Sequence, residues 1–319
     1  MAKNDIELSI IAPMYNEEAN VQTTLNQIAG EMDKVGVEYE IIFVNDGSTD
    51  RTLEAAIQSA EKCAKLQVLS YFPNQGRGNA LREGISAAKG KYIFTIDFDL
   101  TYDASHITRM YNTLKENSLI DAVFVSCYMP GGKMVGVPLA RLIVSKWGNK
   151  ALSYAFSQKI YTSTCVVRGY KSEVIKSLNL DSDDKEIHLE ILSKLLALGK
   201  RIKEIPGTLL KRKAGKSHFR LKLTSISHVV FLLMERPSYH FSIIGFTFIG
   251  LSLISGVLLF LNRVYSLNET YVIFDFISPA FVILLFITGM FSLFFSLIGL
   301  LFIDLRKEIL KIQAGLKKQ

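Results

Sequence analysis

The chain has 319 residues and a net charge of +7, and this length allows about two domains. Its mean hydropathy of +0.24 argues against a wholly soluble protein, because the excess lies in two nearly uncharged stretches, residues 239–261 and 277–303. Cys63, Cys127 and Cys165 have neither metal-like nor redox spacing, so they fit a reduced cytosolic compartment.

Strand and helix patterns alternate through the first part of the chain. Apolar runs predict strands at residues 8–12, 39–44, 66–70, 92–96 and 122–126. Amphipathic spacing predicts intervening helices at residues 18–32, 52–63, 79–88 and 106–116. This alternation predicts an α/β fold with a mainly parallel sheet and helices on both of its faces.

The following region becomes more helical and more basic. Helices are predicted at residues 138–156 and 186–198, and a bent strand pair at 201–211. Residues 211–222 are strongly basic, and residues 221–234 have the spacing of an amphipathic helix. We expect that helix to lie in a membrane interface, because it precedes an apolar stretch.

The two apolar stretches are each long enough to cross a hydrocarbon core and predict a transmembrane hairpin. The predicted segments are a catalytic domain at 1–210, a basic and amphipathic segment at 211–237, the hairpin at 238–304 and a basic tail at 305–319. The positive-inside rule places the catalytic domain and both termini in the cytoplasm. No signal peptide is expected at the polar N-terminus, and Asn268 begins a glycosylation sequon on the outer side.

Two carboxylates, Asp97 and Asp99, follow the strand predicted at residues 92–96. Ligands of open α/β sheets bind at the carboxyl ends of strands, and paired carboxylates suit Mg²⁺ or Mn²⁺ when phosphate oxygens complete the coordination shell. Taken alone, the two acids are better explained as a solvated turn. Polar loops after two other strands favour a binding cleft.

Those loops run from Pro13 to Glu17 and from Asp46 to Asp50. Asp46 is placed to accept hydrogen bonds from a base or a ribose, while Ser48 and Asp50 can cap the next helix. On its own, the second loop is better explained as a turn and a helix cap.

A short glycine loop, Asn74-Gln75-Gly76-Arg77-Gly78-Asn79, precedes the third helix. It can place Arg77 and backbone amides near a phosphate. The loop lacks the full dinucleotide-binding fingerprint and is a weak signal by itself.

Together these motifs resemble family 2 glycosyltransferases, which have the GT-A nucleotide-sugar fold. The motifs that carry the resemblance are Pro13-Met14-Tyr15-Asn16-Glu17, Val44-Asn45-Asp46-Gly47-Ser48-Thr49-Asp50, Gly76-Arg77-Gly78 and Asp97-Phe98-Asp99-Leu100. Later segments resemble the polyprenyl-phosphate branch, which includes dolichyl-phosphate mannose synthase and bacterial undecaprenyl-phosphate sugar transferases. These segments are Arg141 to Asn149, Arg168 with Tyr170, and Arg212 to Ser217.

The resemblance implies roles for particular residues. The implied nucleotide-sugar site comprises Pro13, Tyr15, Glu17, Asp46, Ser48, Arg77, Asp97 and Phe98. Asp97 and Asp99 would hold magnesium or manganese, and the implied acceptor-phosphate site comprises Arg141, Arg168, Arg212 and Ser217. Asp99, Arg141 and Arg212 would be the catalytic residues. The chain departs from the branch at Thr101, where glutamine is common, and at Cys127, where arginine is common.

The expected function is the inverting transfer of a hexose from a UDP- or GDP-sugar to a polyprenyl phosphate at the cytoplasmic face of a cell membrane or endomembrane. One alternative is an enzyme that extends a lipid-linked or polymeric glycan, with Glu190 as its general base. Another is a non-catalytic membrane scaffold that binds sugar nucleotides. The expected partners are the nucleotide sugar, the polyprenyl phosphate and the membrane; a homo-oligomer is left open, and no nucleic acid is expected.

Overall fold

The structure is a computed structural model that describes residues 6–136, 149, 160–210, 237–266 and 278–316. Contacts divide the chain into an α/β unit and a helical unit. We describe each unit by itself.

The described residues of the α/β unit contain nine strands. They are β1 (Leu8–Met14), β2 (Tyr39–Asp46), β3 (Leu66–Tyr71), β4 (Tyr92–Thr95), β5 (Ala122–Ser126), β6 (Lys133–Met134), β7 (Arg168–Lys171), β8 (Ile202–Pro206) and β9 (Thr208–Leu209). Its described helices are α1 (Val21–Val35), α2 (Thr52–Lys62), α3 (Arg77–Ala87), α4 (Ser105–Glu116), α5 (Ser172–Lys176) and α6 (Ile187–Ala197). A 3₁₀ turn at Glu18–Asn20 precedes α1.

Seven strands form one sheet in the order β3-β2-β1-β4-β7-β5-β8. All neighbouring pairs are parallel except those made by β7, which is antiparallel to both β4 and β5. The expected mainly parallel α/β sheet is therefore confirmed. The two strands predicted within 201–211 do not pair with each other, because β8 joins β5 while β9 joins β6.

Both faces of β1 are covered, which explains why its sequence is a continuous apolar run. Leu8 and Ile10 belong to the cluster that also contains buried residues of α1 and α4. On the other face, a Cβ placed on Gly84 of α3 would lie 2.5 Å from Ile11 Cγ2. Glycine at this position lets α3 pack closely on the sheet.

The helical unit, which ends at Ile309, contains α7 (Pro237–Ser266) and most of α8 (Pro279–Leu316). Both helices are long and apolar enough to cross a membrane, with mean hydropathies of 2.3 and 2.6 in their spanning parts. α8 continues through Leu316, so most of the tail predicted at 305–319 is helical.

Small residues line the contact between α7 and α8. A Cβ on Gly245 would lie 2.7 Å from Leu293 Cδ2, and one on Gly289 would lie 2.6 Å from Ile249 Cγ1. The Ser252 hydroxyl donates to the Val282 carbonyl at 2.9 Å. Close backbone approach and interhelical hydrogen bonds are the means by which apolar helices associate in a membrane.

Candidate active site at the carboxyl edge of the sheet

The carboxyl ends of β1, β2 and β4 meet at one edge of the sheet. Parallel register pairs Met14 with Asn45 and Ile11 with Thr95. The loops that follow these strands therefore lie side by side, as the sequence predicts. This edge holds the acids at positions 46, 97 and 99.

Asp97 and Asp99 lie in a tight turn directly after β4. The Leu100 amide donates to the Asp97 carbonyl at 3.1 Å, and Leu100 has a positive φ of 47°. The Thr101 amide donates to Asp99 Oδ1 at 3.2 Å. The turn thus fixes the backbone of both acids, and both residues remain partly exposed.

Phe98, between the two acids, has a different environment from the one expected. Its side chain is 4% exposed and makes an edge-to-face contact with Phe43, with ring centroids 4.8 Å apart. The Phe98 carbonyl accepts a hydrogen bond from Thr24 Oγ1 at 2.6 Å. The side chain anchors the acidic turn in the core, and its expected contact with the nucleotide sugar stays a prediction.

Arg77 begins α3 and lies beside the acidic turn. Its Nη1 is 3.9 Å from Asp97 Oδ1, with the Arg77 side chain 41% and the Asp97 side chain 23% exposed. At that distance the pair is a weak, partly solvated ion pair. A guanidinium and two carboxylates that are all partly exposed can together contact a metal-bound diphosphate.

The amides at the start of α3 are not placed as the glycine loop suggests. The Gly78 and Asn79 amides donate to the Asp183 carbonyl at 2.7 and 3.2 Å. These donors are therefore occupied by the chain itself, which corrects the expectation that they bind phosphate. Arg77 is the residue of this loop that lies near Asp97 in the acidic turn.

The loops after β1 and β2 are joined by hydrogen bonds. The Asn16 amide donates to Ser48 Oγ at 3.0 Å, and the Glu17 amide donates to Thr52 Oγ1 at 2.8 Å. Asp50 Oδ1 accepts from the Thr52 amide at 3.0 Å, but the residue at the N-cap position of α2 is Arg51, and its side chain makes no cap hydrogen bond. Ser48 joins the two loops instead of capping the helix.

The residues of the first loop that are expected to contact the nucleotide sugar differ in exposure and position. Tyr15 is 36% exposed, whereas Pro13 still lies within β1, opposite Val44. Glu17 lines a surface depression together with Asn20 and other residues that do not include the acids at positions 46, 97 and 99. Tyr15 is thus the accessible side chain of this loop.

Asp46 is 5% exposed and acts as an internal acceptor. Its Oδ1 accepts from the Tyr71 hydroxyl at 3.0 Å, the Gln75 amide at 2.8 Å and the Gly76 amide at 3.1 Å. Its Oδ2 accepts from Asn74 Nδ2 at 2.9 Å. The sequence predicts that Asp46 binds a base or ribose; in the structure it organises the loop that leads into α3.

Arg168 is fully buried, which argues against its expected role at the acceptor phosphate. Its Nη1 donates to the His188 carbonyl at 2.7 Å and its Nη2 to the Ser163 carbonyl at 2.5 Å. The guanidinium also stacks on the Phe124 ring at 4.1 Å. Burial, together with the charges of Arg168 and Arg77, lowers the pKa of His188 well below its ordinary range, so that imidazole is neutral at neutral pH.

Glu190, the expected base of the glycan-extension alternative, is held in an ion-paired network. Its Oε1 lies 2.5 Å from Lys194 Nζ, and its oxygens accept from the Asp181 and Ser182 amides at 2.9 Å each. Burial favours the protonated form, but the hydrogen bonds from Lys194, Ser182 and Asp181 outweigh it and lower the pKa of Glu190. A carboxylate held in this way is a weak general base.

Three expected residues, Arg141, Arg212 and Ser217, lie outside the described residues, as does Asn268. Within the described part of the chain, no group of three or more His, Cys, Asp and Glu side chains is arranged around a metal position. The two carboxylates of the acidic turn still fit a hard divalent cation, provided that ligand oxygens supply the remaining coordination.

Sequence reasoning missed the contacts that bring distant segments to this edge. Tyr71 and Asn74 fix Asp46, and the 182–183 segment fixes the start of α3. Gly76 and Gly78 indicate in the sequence that another segment approaches the start of α3 closely, but glycine alone does not show which segment that is.

Several curated proteins are similar to this chain over most of its length. Dolichol-phosphate mannosyltransferase of Pyrococcus furiosus is 28% identical over 253 residues, which cover 77% of this chain and 69% of that protein. Undecaprenyl-phosphate 4-deoxy-4-formamido-L-arabinose transferase of Edwardsiella ictaluri is 27% identical, with coverages of 80% and 77%. Dodecaprenyl-phosphate galacturonate synthase of Rhizobium johnstonii is 28% identical, with coverages of 75% and 72%. These relatives are polyprenyl-phosphate sugar transferases by name.

Solved structures share the fold of the α/β unit. Glucosyl-3-phosphoglycerate synthase from Mycobacterium tuberculosis, solved with Mn²⁺, UDP-glucose and phosphoglyceric acid, has a TM-score of 0.55 and 19% identity to this chain. The match covers 72% of this chain and 79% of that one. The expected GT-A fold is thereby confirmed. The family profile described as glycosyl transferase family 2 matches residues 9–178, and the chain belongs to that family.

Proposed function

We propose that this protein transfers a sugar from a nucleoside diphosphate sugar to a polyprenyl phosphate, with inversion at the anomeric carbon. The observation that carries the proposal is the partly exposed Asp97–Asp99 turn beside Arg77, at the carboxyl edge of a family 2 fold. The names of the relatives support a polyprenyl phosphate acceptor. The two apolar helices support a membrane location, which such an acceptor requires.

On the donor side, Asp97 and Asp99 would hold Mg²⁺ or Mn²⁺, and Arg77 would contact the diphosphate. A divalent cation bound there would neutralise charge on the leaving diphosphate. Arg77 would add a forked donor to the same oxygens. Tyr15, exposed at the end of β1, would contact the base.

On the acceptor side, the proposal assigns Arg141, Arg212 and Ser217 to the lipid phosphate, on the strength of the motif resemblance. Arginine suits this role because its guanidinium forms paired hydrogen bonds with phosphate oxygens. The basic composition of residues 211–222 would also attract anionic lipid headgroups. The positive-inside rule supports a cytoplasmic location for the catalytic unit and both termini.

The chemistry needs no general base on the protein. A phosphate monoester has a second pKa of about 6 and is already a dianion for the most part at neutral pH. One of its oxygens forms a bond to the anomeric carbon as the bond from that carbon to the diphosphate breaks, and the electron pair leaves with the diphosphate. The neutral, buried His188 and the ion-paired Glu190 are consistent with this scheme.

The runner-up function, extension of a glycan through a hydroxyl acceptor, would require a base. The lowered pKa of Glu190 disfavours the first candidate for that base. A non-catalytic scaffold would bind sugar nucleotides without turnover.

One assay separates the three functions. The purified full chain is incubated with Mn²⁺, a panel of UDP- and GDP-sugars, and either polyprenyl phosphate or a lipid-linked glycan, and the lipid products are weighed by mass spectrometry. We expect the product to be a polyprenyl phosphate that carries one sugar, formed from one of the nucleotide sugars. A product only on the lipid-linked glycan would support the runner-up, and nucleotide-sugar binding without any product would support the scaffold.

A further inference from the structure

The first turn of α3 is covered by the backbone of a distant segment. Asp183 O accepts from the Gly78 and Asn79 amides. A Cβ on Gly76 would lie 2.4 Å from Asp183 O, and one on Gly78 would lie 2.2 Å from Ser182 O. Both glycines are thus required because the two backbone segments approach so closely.

Arg82, further along α3, fastens the same segment through its side chain. Its Nη1 donates to Ser182 O, and its Nη2 donates to Asp183 Oδ1, each at 2.5 Å. Nη2 also donates to Asn79 Oδ1 at 3.0 Å. The guanidinium is therefore engaged within the chain, and it ties the first turn of α3 to the 182–183 segment.

The opposite side of this segment is held by α6. Glu190 accepts the Asp181 and Ser182 amides, while Lys194 Nζ contacts Glu190 Oε1 and the Asn179 carbonyl. The Glu190 and Lys194 side chains are only 12% and 10% exposed. A segment fixed to the α6 side by a shielded ion pair is a firm support for α3.

The support matters because α3 begins with Arg77, whose guanidinium lies 3.9 Å from Asp97 Oδ1. We propose that Arg82 is a positioning residue for the donor diphosphate: by fastening α3 to the 182–183 segment, it holds Arg77 beside Asp97. This inference rests on the proposed function, because Arg77 must contact the diphosphate for its position to matter. Arg82 itself does not contact the donor diphosphate and acts through Arg77.

The test measures nucleotide binding, which separates positioning from turnover. The full chain in detergent is titrated with UDP and with GDP in the presence of Mn²⁺ by calorimetry. Arg82→Ala is expected to weaken binding of the preferred nucleotide about five- to tenfold, within the range of coupling between residues of one network. Arg82→Lys should recover part of the loss, since lysine keeps the charge but loses the fork.

A double-mutant cycle with Arg77→Ala provides the decisive comparison. If Arg82 acts through Arg77, then Arg82→Ala causes little further loss of nucleotide affinity in the Arg77→Ala background. Independent, multiplicative losses would overturn the inference, and so would an unchanged affinity in the Arg82→Ala single variant. Arg109→Ala, which removes an exposed arginine of α4, is the matched control and should leave affinity unchanged.

Asp183→Ala provides a second test in case Arg82→Ala fails to fold. It removes one side-chain acceptor of Arg82 but keeps the carbonyl that accepts the α3 amides. A two- to threefold loss of nucleotide affinity, about the size expected for one contact of a network, supports the inference if it disappears in the Arg77→Ala background. Full nucleotide affinity in both Asp183→Ala and Arg82→Lys overturns the inference. If the unmodified chain binds neither nucleotide, the proposed function fails and the inference fails with it, whereas normal binding by Arg82→Ala refutes the inference alone.

Discussion

Two acidic loops at the same edge of the sheet look alike in sequence and differ in structure. Asp46 ends β2 and is buried, and it accepts hydrogen bonds from Tyr71 at the end of β3 and from three groups of the β3–α3 loop. Asp97 and Asp99 follow β4, remain partly exposed and lie near Arg77. The first acid organises the neighbouring loop, whereas the pair keeps part of its surface exposed to solvent. Burial therefore separates acids at this edge that look alike in sequence.

The largest expected effect comes from the exposed pair. Asp99→Ala should lower transfer at least about a hundredfold, because bound metal supplies several kcal/mol of charge stabilisation. Thermal unfolding should change little, since Asp99 is partly exposed at the end of a strand. A chelator should reproduce the loss of activity in the unmodified chain.

Asp103→Ala is the matched control for that variant. Asp103 Oδ1 accepts the Ser105 amide at 2.9 Å, as Asp99 Oδ1 accepts the Thr101 amide. It should leave transfer close to normal while weakening the start of α4. Full activity of Asp99→Ala, or of the unmodified chain in EDTA, would refute the metal role of the pair.

Asp46→Asn tests the other side of the comparison. It removes a buried charge that accepts hydrogen bonds, and we expect the free energy of unfolding to fall by about 2 kcal/mol. Thermal unfolding in detergent should show a clearly lower midpoint, in contrast to Asp99→Ala. An unchanged midpoint with lost nucleotide affinity would return Asp46 to the nucleotide site.

The fold and the acidic pair were predictable because their signals are local. Apolar runs mark the parallel strands, and Asp97 and Asp99 follow one of them directly. β7 was harder to predict, since Arg168–Lys171 is short, contains a glycine and runs antiparallel between two strands that are distant in sequence. The motif places Phe98 in the nucleotide-sugar site, but no local pattern indicates that its side chain packs on Phe43 in the core.

Other features of the site depend on contacts between residues that are far apart in the sequence. Arg82 and Asp183 are 101 positions apart, so no local pattern indicates that the 182–183 segment covers the glycine loop. Arg168 resembles a phosphate ligand by motif, but its carbonyl partners and its stacking on Phe124 become apparent only when the sheet is assembled. Motif position therefore identified the edge of the sheet better than the role of each residue there.

Like Asp46, Glu190 is a carboxylate that accepts hydrogen bonds from the chain itself. Because its pKa lies below the ordinary value of 4.5, its stabilising contribution is present above that pH and is lost as the pH falls through the lowered pKa. Glu190→Gln should therefore destabilise the protein at neutral pH by about 1–2 kcal/mol. It should also flatten the loss of stability in acid, measured as the unfolding midpoint between pH 7 and acidic pH.

Transfer by Glu190→Gln, assayed below its unfolding midpoint at saturating donor, distinguishes support from catalysis. We expect substantial turnover with a raised apparent donor KM, because the 181–182 segment loses part of its anchor. Abolished turnover with an unaltered midpoint would instead identify Glu190 as a base and revive the glycan-extension function.

Ser48→Ala has the smallest expected effect and tests whether Ser48 contacts the nucleotide sugar or only joins the two loops. The motif places Ser48 in the nucleotide-sugar site, yet its Oγ accepts the Asn16 amide at 3.0 Å and so joins the β1 and β2 loops. Loss of one such hydrogen bond costs about 1 kcal/mol, so the unfolding midpoint should fall slightly while nucleotide affinity stays within about twofold. Ser59→Ala is a suitable control, because the Ser59 hydroxyl also makes a hydrogen bond, to the Ala55 carbonyl within α2. If Ser48→Ala weakened nucleotide binding strongly and Ser59→Ala did not, Ser48 would belong with Asp97 and Asp99 as a residue available to the ligand.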